Sequence, residues 1–319
     1  MGSLVAQGRR VSRSSLAAGA LLLCALGAAV ATPQLLGTRV GSALGTLERA
    51  DPRWLWLAGI AFTLSLVGSA GCWRSAIGLC GGRTTLTDAT ARYGAGSLVN
   101  TFVPARAGDA VRLALFSRLV PGEHKIWTTG GAFVAVAATR AAVLAAIVAA
   151  GAVLGVVPWW PSLVAIALVA AAVVLARRAR RHLEPRDVAR LAAWVLLSTA
   201  GRFAGAMAVS AAVGIHRPFV AALLILPALD VSGLVPLTPG NVGIASAAIA
   251  IAFRAHGVSF NHGLGAGITL QALETAVGLT VGTASVLWLA PHPRPARRIA
   301  LASAVVGSAL GAAVLVPLM

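Results

Sequence analysis

Long runs of apolar residues, separated by short polar segments, follow one another along almost the whole chain. A helix needs about 20 predominantly apolar residues to cross a bilayer. On that criterion we predict seven membrane-spanning helices, at residues 15–36, 54–73, 126–157, 159–176, 190–213, 262–290 and 299–318. The first run follows basic residues and could be a signal peptide, but its length favours a helix that is retained.

Two further apolar segments, 88–118 and 219–256, are each broken near the middle by proline and glycine. Pro104 in the first break corresponds, at a constant offset along the chain, to Pro236 in the second, and a glycine follows each proline four residues later. Each segment has the pattern helix, break, helix, which is typical of a re-entrant hairpin. Broken segments at matching positions of two halves indicate a transport site.

Composition agrees with a membrane protein, because 58% of the residues are hydrophobic, 11% are charged and the mean hydropathy is +0.86. The net charge of +17 could indicate nucleic-acid binding, but the arginines cluster beside apolar runs, as cytoplasmic anchors do. The N-terminus and the segments 177–190 and 291–298 are therefore expected in the cytoplasm. With that orientation the first hairpin opens from the cytoplasm and the second from outside, so residues 54–157 and 190–290 form an inverted repeat.

The predicted fold class is therefore all-α. We expect a polytopic integral membrane protein with about seven transmembrane helices and two re-entrant helical hairpins in an inverted repeat. Residues 1–319 form a single membrane domain, in which 299–318 is a C-terminal helix after the second repeat.

Each break is predicted to begin a new helix whose N-terminus points into the protein. Asp109 and Asn241 directly follow Gly108 and Gly240, and both are favoured N-cap residues. The glycines permit unusual backbone angles. Helix N-termini carry free N–H groups and a partial positive charge, which suits a phosphate. A purely structural kink is the alternative interpretation.

Polar side chains surround both breaks. Those of the first are Asn100, Arg106, Asp109 and Arg112. The last three share one helix face, and the two arginines could grip a phosphate, or Asp109 could pair with one of them. The counterparts at the second break are Asp230, Ser232, Thr238 and Asn241. Because these are milder, the cytoplasm-facing break is predicted to be the stronger anion site.

Three charged residues fall deep inside predicted spans, namely Arg140, Arg202 and Glu274. A charge at bilayer depth is costly and is a functional candidate by default. Arg140 and Glu274 occupy near-equivalent places in the two repeats, so we expect them to meet near the pseudo-axis or to line a cavity, with a structural ion pair as the alternative. Arg202 could bind a headgroup or stabilise the second hairpin through Asp230.

Motifs for catalysis or metal binding are not found in the sequence. There is no Walker loop, nucleophile elbow or zinc motif, and His256 and His262 lack metal-ligand spacing. The cysteines Cys24, Cys72 and Cys80 are predicted to be packing residues. We therefore expect no cofactor, no metal and no enzymatic activity.

The run from Gly96 to Arg112 and the run from Pro236 to Ile244 resemble, in this order, the two signatures of one protein family. It is the lysylphosphatidylglycerol synthase transmembrane region family, also called the flippase-like domain family. The resemblance covers most of the chain, from the first helix to about residue 290. The matching residues are Asn100, Pro104, Arg106, Gly108, Asp109 and Arg112 in the first signature and Pro236, Pro239, Gly240 and Gly243 in the second.

This resemblance implies a polytopic protein of the bacterial plasma membrane that moves an amphipathic lipid between leaflets. In the best-known members the lipid is an aminoacylated phospholipid and a synthase domain follows. Here the chain ends after its last helix, so no synthase domain is expected. The family often has a glutamate shortly after the second glycine, where this chain has Ser246; Glu274 could substitute for it.

The predicted function is a flippase-like transporter that moves a phosphate-bearing lipid, either a phospholipid or a polyprenyl-phosphate carrier. The alternatives are an ion-coupled transporter of a small soluble solute and a non-transporting accessory membrane subunit. The predicted partners are membrane lipids and not nucleic acid. A separate lipid-modifying enzyme or a second copy of the chain could also associate with it.

Overall fold

The computed structural model describes residues 45, 49–103, 107–157, 167, 170, 184–232 and 242–290. These residues form eight helices and no strand within the described ranges, so the all-α prediction is confirmed there. The helices are α1 (Pro52–Leu79), α2 (Leu86–Phe102), α3 (Ala107–Ser117), α4 (Lys125–Val153), α5 (Pro185–Ala212), α6 (Pro218–Ser232), α7 (Val242–Arg254) and α8 (Phe260–Leu289).

Four of the eight helices, α1, α4, α5 and α8, are long and apolar enough to cross a membrane. They correspond to the spans predicted at 54–73, 126–157, 190–213 and 262–290, and they identify the chain as an integral membrane protein. The other three predicted spans, 15–36, 159–176 and 299–318, lie outside the described residues.

The helix ends follow from local chemistry. The Asp51 side chain accepts a hydrogen bond of 2.9 Å from the backbone N–H of Arg53, and proline occupies the first position of α1. Beyond their C-termini, α1 and α5 are each followed by a glycine with positive φ, Gly81 at 79° and Gly214 at 77°. The same terminating turn therefore closes the first helix of each unit.

The two halves of the described structure have the same succession of elements. Helices α1 to α4 correspond in order and approximate length to α5 to α8. Contacts between helices follow the same symmetry: α2 packs on α8 as α6 packs on α4, and α3 packs on α4 as α7 packs on α8. An exchange of the two units leaves this pattern of contacts unchanged, as a two-fold pseudo-axis requires.

The pseudo-axis passes through the interface of α1 and α5, where the two helices run antiparallel. At one end the Asp51 N–H donates to the Ala212 carbonyl oxygen at 3.0 Å. Farther along, a Cβ built on Gly68 would lie only 2.7 Å from the Ser198 nitrogen, and one on Gly201 only 2.7 Å from the Ala61 carbonyl oxygen. Small residues thus allow close backbone approach, and the two units run in opposite directions, as an inverted repeat requires.

The two pairs of short helices, α2 with α3 and α6 with α7, start from opposite ends of the α1–α5 interface. Gly82, just after α1, is so close to Leu119, just after α3, that a Cβ would lie 3.0 Å from the Leu119 carbonyl oxygen. At the other end, His262 Nε2 lies 2.6 Å from the carbonyl oxygen of Val213, just after α5. The two helices of each pair, α2 with α3 and α6 with α7, also pack against one another.

One expectation about the first break is wrong. Helix α3 begins at Ala107, two residues before the predicted start at Asp109, because the Asn100 side chain satisfies the Gly108 N–H at 2.6 Å. Gly108 does not have a positive φ. Its requirement is spatial, because a Cβ on Gly108 would overlap the carbonyl oxygen of Gly96. Helix α7 begins at Val242, directly after Asn241, close to the predicted start.

Candidate functional site

A cavity of about 610 Å³ lies between the two units and is lined by seven of the eight helices, α7 being the exception. That volume is within the usual range of small-molecule sites. The charged residues that line it are Asp109, Arg112, Arg140, Arg202, Asp230 and Glu274. The structure therefore brings together, in one cavity, six candidates that are scattered along the sequence.

Arg112 is held by groups of the first hairpin itself. Its guanidinium forms an ion pair with Asp109, donates to the Ser97 hydroxyl at 2.7 Å, and donates through Nε to the Tyr93 carbonyl oxygen at 3.3 Å. It also lies 4.0 Å from the centroid of the Tyr93 ring. The alternative that Asp109 pairs with an arginine is thus confirmed, and Arg112 links α3 to α2.

A second arginine links the other end of the same two helices. Arg92 on α2 donates to the Asp88 carboxylate at 2.9 Å and to the Leu115 carbonyl oxygen of α3 at 2.8 Å. Asn100 adds its bond to Gly108 near the break. The polar residues of the first hairpin therefore mostly stabilise its shape, since their hydrogen-bonding groups engage one another.

Arg202 on α5 stands between two carboxylates from other helices. It donates to Asp230 of α6 at 2.9 Å, and its Nε lies 3.8 Å from a Glu274 oxygen of α8. The expected contact between Arg202 and the second hairpin is confirmed. Because two carboxylates share one guanidinium, this cluster carries a formal charge of one negative unit.

Arg140 on α4 is in a different situation. It donates to the Ser69 hydroxyl of α1, which lies 2.8 Å from the Ser198 hydroxyl of α5. Among the described residues, no carboxylate forms an ion pair with Arg140. Arg140 and Glu274 both line the cavity, which confirms one of the expectations for this pair. They do not form an ion pair with each other, because Glu274 pairs with Arg202.

The distribution of charge in the cavity follows from these contacts. Its three arginines and three carboxylates cancel formally. The Arg112–Asp109 pair is neutral, the Arg202 cluster has a surplus negative charge, and Arg140 supplies the balancing positive charge. An anion placed in the cavity therefore has its most favourable position at Arg140.

Six predicted site residues, Pro104, Arg106, Thr238, Pro239, Gly240 and Asn241, lie outside the described residues. Their predicted roles stay predictions. Within the described ranges, no group of three His, Cys, Asp or Glu side chains is placed to hold a metal ion.

Several neutral polar residues of the cavity were missed by reasoning from the sequence. They are Ser65, Ser69, Tyr93, Ser97, Ser198, Thr199, Gln271 and Thr275. Hydroxyl groups are ordinary in transmembrane helices and gave no signal. Gln271 did give one, because it lies one helical turn before Glu274 and an amide is unusual in an apolar span.

The second half of the chain is also recognisable by comparison with known proteins. Residues 176–282 match the family model of the lysylphosphatidylglycerol synthase TM region. The matched family is the one that the two signatures resemble, and the match includes the second signature, whereas the first lies outside the matched range. No curated protein matches the chain. The matched range also contains Arg202, Asp230, Gln271 and Glu274, and thus the negatively charged side of the cavity.

Proposed function

We propose that the protein is a flippase-like transporter that moves a phosphate-bearing lipid between the leaflets of the bacterial plasma membrane. The observation that carries the proposal is the position of Arg140, a cation in a cavity between two inverted units with no described carboxylate beside it. A charged side chain at bilayer depth is costly unless it is paired. A headgroup phosphate would supply the missing counter-charge.

Arg140 is a better phosphate ligand than Arg112, which the sequence favoured. Three groups of the hairpin already engage the Arg112 guanidinium, and its side chain is only 11% exposed. The Arg140 guanidinium donates to the Ser69 hydroxyl group. A hydroxyl group can rotate to accommodate a bound oxygen. Arg112 and Asp109 would then shape the site while Arg140 binds the anion.

Apolar side chains at the edge of the cavity favour a lipid over a soluble solute. Val103, at the end of α2, and Phe133, on α4, both line the cavity, and they are 43% and 38% exposed. Acyl or prenyl tails could lie against these side chains while the headgroup lies among the charges. A small soluble solute, the alternative cargo, has no tails that could contact these side chains.

In this proposal the two pairs of short helices are re-entrant hairpins that control access from opposite sides. The arginine-rich segments of the chain support a cytoplasmic N-terminus and a cytoplasmic start of α5. The first hairpin then opens to the cytoplasm and the second to the outside. The proposal includes no chemical step and hence no enzymatic activity, and its partners are anionic or polyprenyl-phosphate lipids.

The test is lipid translocation in proteoliposomes with fluorescent phosphatidylglycerol and a fluorescent polyprenyl-phosphate analogue. Wild type should translocate at least one of them, and Arg140→Gln should reduce the rate at least tenfold, since one charge-assisted contact is worth about 1.5–3 kcal/mol. Arg118→Gln is the matched control, because Arg118 is exposed and lies outside the cavity.

Translocation that is equally fast in Arg140→Gln would contradict the anion site. Absence of translocation of every lipid by the folded wild-type protein would favour a soluble-solute transporter or an accessory subunit. A monodisperse elution profile and an unchanged melting temperature would show that the variant is folded.

A further inference from the structure

Gln271, on α8, is a buried amide that lines the cavity and has no hydrogen-bond partner among the described residues. The residue as a whole is 5% exposed. Thr269, on the same helix and fully buried, donates instead to the Gly265 carbonyl oxygen at 2.9 Å. Its amide atoms are accessible from the cavity, because Thr283 Oγ1 is the only side-chain N or O atom of the described residues that is both fully buried and unpartnered. An amide that faces a cavity without a protein partner is available to a ligand that completes its hydrogen bonds.

The neighbours of Gln271 on α8 also have unused hydrogen-bonding capacity. Glu274 lies one turn further along the same face, and its ion pair with Arg202 is long, at 3.8 Å. Thr275, which lines the cavity too, forms no hydrogen bond with a described residue, whereas Thr280 donates to its own helix. These three adjacent polar side chains therefore indicate that one group of a ligand binds to all of them.

The chemistry of this group of side chains selects the ligand. The amide of Gln271 offers donors and an acceptor, the Thr275 hydroxyl offers both, and Glu274 accepts. A second anionic group is disfavoured, because the Arg202 cluster already has a surplus negative charge. An ammonium group only donates and would leave the Gln271 NH₂ unmatched. Neighbouring hydroxyl groups both donate and accept, so they can satisfy all three side chains.

We infer that Gln271, Glu274 and Thr275 form a polyol subsite beside the phosphate position at Arg140. The inference rests on the proposed function and narrows its substrate class. The transported lipid carries vicinal hydroxyl groups joined to the lipid through a phosphate, as in a phosphate-linked glycerol, inositol or sugar. Arg140 binds the phosphate and α8 binds the hydroxylated part.

The experiment compares two soluble lipids of equal charge that differ in their hydroxyl groups. Dioctanoyl phosphatidylglycerol and dioctanoyl phosphatidylmethanol are titrated into the purified full chain, and binding is followed by thermophoresis. Wild type should prefer phosphatidylglycerol. Gln271→Met, which keeps the side-chain length, should lower the affinity for phosphatidylglycerol roughly fivefold and leave that for phosphatidylmethanol unchanged.

Two variants complete the design. Thr275→Val should also weaken the preference, so the inference remains testable if Gln271→Met does not fold. Thr269→Val, buried on the same helix but outside the cavity, should leave both affinities unchanged. Further arms with phosphatidylinositol, and with polyprenyl phosphate with and without an attached sugar, distinguish the sources of the hydroxyl groups.

Equal affinity of wild type for the two dioctanoyl lipids would overturn the inference, as would a preference that survives both Gln271→Met and Thr275→Val. The outcomes of this binding experiment can be distinguished from the outcomes of the translocation experiment. Translocation without a preference for hydroxylated headgroups would contradict the polyol subsite and support the proposed function. A binding preference for phosphatidylglycerol without any translocation would support the polyol subsite and contradict the proposed transport function.

Discussion

Gly96 and Gly108 face one another where α2 and α3 cross. A Cβ built on Gly96 would lie 2.7 Å from the Gly108 carbonyl oxygen, and one on Gly108 would overlap the Gly96 carbonyl oxygen. Both obstacles are backbone atoms, which cannot turn away as a side chain can. Helices α2 and α3 can therefore cross this closely only because both positions are glycine, which has a hydrogen atom in place of a side chain.

The first prediction concerns this crossing. Gly108→Ala should lower the free energy of unfolding by about 2 kcal/mol, because the two helices must separate to admit a methyl group. Gly131→Ala on α4 is the control, since nothing lies within 4 Å of a Cβ there. Thermal unfolding in detergent measures both variants. A Gly108→Ala protein as stable as wild type would contradict the close approach.

Removing the Arg112 guanidinium should destabilise the protein. Arg112→Gln breaks the ion pair with Asp109 and the bond to Ser97, and we expect a loss of about 2 kcal/mol in the free energy of unfolding. The exposed Arg118, changed to Gln, should cost less than about 0.5 kcal/mol. If Arg112→Gln instead kept full stability and lost only lipid binding, Arg112 would be a ligand and not a hairpin contact.

The Arg202 cluster gives a prediction about charges that line the cavity. Arg202→Met leaves Asp230 and Glu274 without their partner, so the free energy of unfolding should fall by about 3 kcal/mol. Arg190→Gln, which breaks an exposed pair of 3.6 Å with Asp187, should cost at most about 1 kcal/mol.

A triple variant separates charge from shape in the same cluster. Arg202→Met combined with Asp230→Asn and Glu274→Gln removes every formal charge of the cluster. Much of the lost stability should return, because no unpaired carboxylate remains in the cavity. If the triple variant were less stable than Arg202→Met alone, the cost would come from packing.

The antiparallel interface predicts which residues share a side of the membrane. Exposed cysteines replacing Arg53 and Arg217, in a background without the native cysteines, should react with an impermeant maleimide in intact cells. Cysteines replacing Arg118 and Arg186 should react only after permeabilisation. Labelling of Arg53→Cys and Arg217→Cys from different sides would exclude antiparallel α1 and α5.

The sequence predicted the four long helices well and their ends less well. The span expected at 54–73 begins at Pro52 and extends to Leu79, and the one expected at 190–213 begins at Pro185. A search for apolar runs ends where polar residues begin, but a helix continues through polar residues until a cap or a glycine ends it. The signals were present in Asp51 and Gly81, at the two ends of α1.

For the site, the sequence identified charges and could not assign their partners. Arg140, Arg202 and Glu274 stand out in apolar spans, yet only the crossing of helices decides that Glu274 pairs with Arg202. Gln271 carries no charge, and its lack of a described partner appears only once α8 is packed against the cavity. Pairings across a fold depend on contacts between distant segments, which local pattern does not encode.

The interface of α1 and α5 also constrains biosynthesis. Helix α1 is made first, and α5 emerges from the ribosome only after the whole of the first unit. Until then the small residues and serines of α1 at this interface, such as Gly68 and Ser69, have no α5 partner. We therefore expect α1 to complete its packing only after α5 has been synthesised and lies antiparallel to it, late in the biosynthesis of the protein.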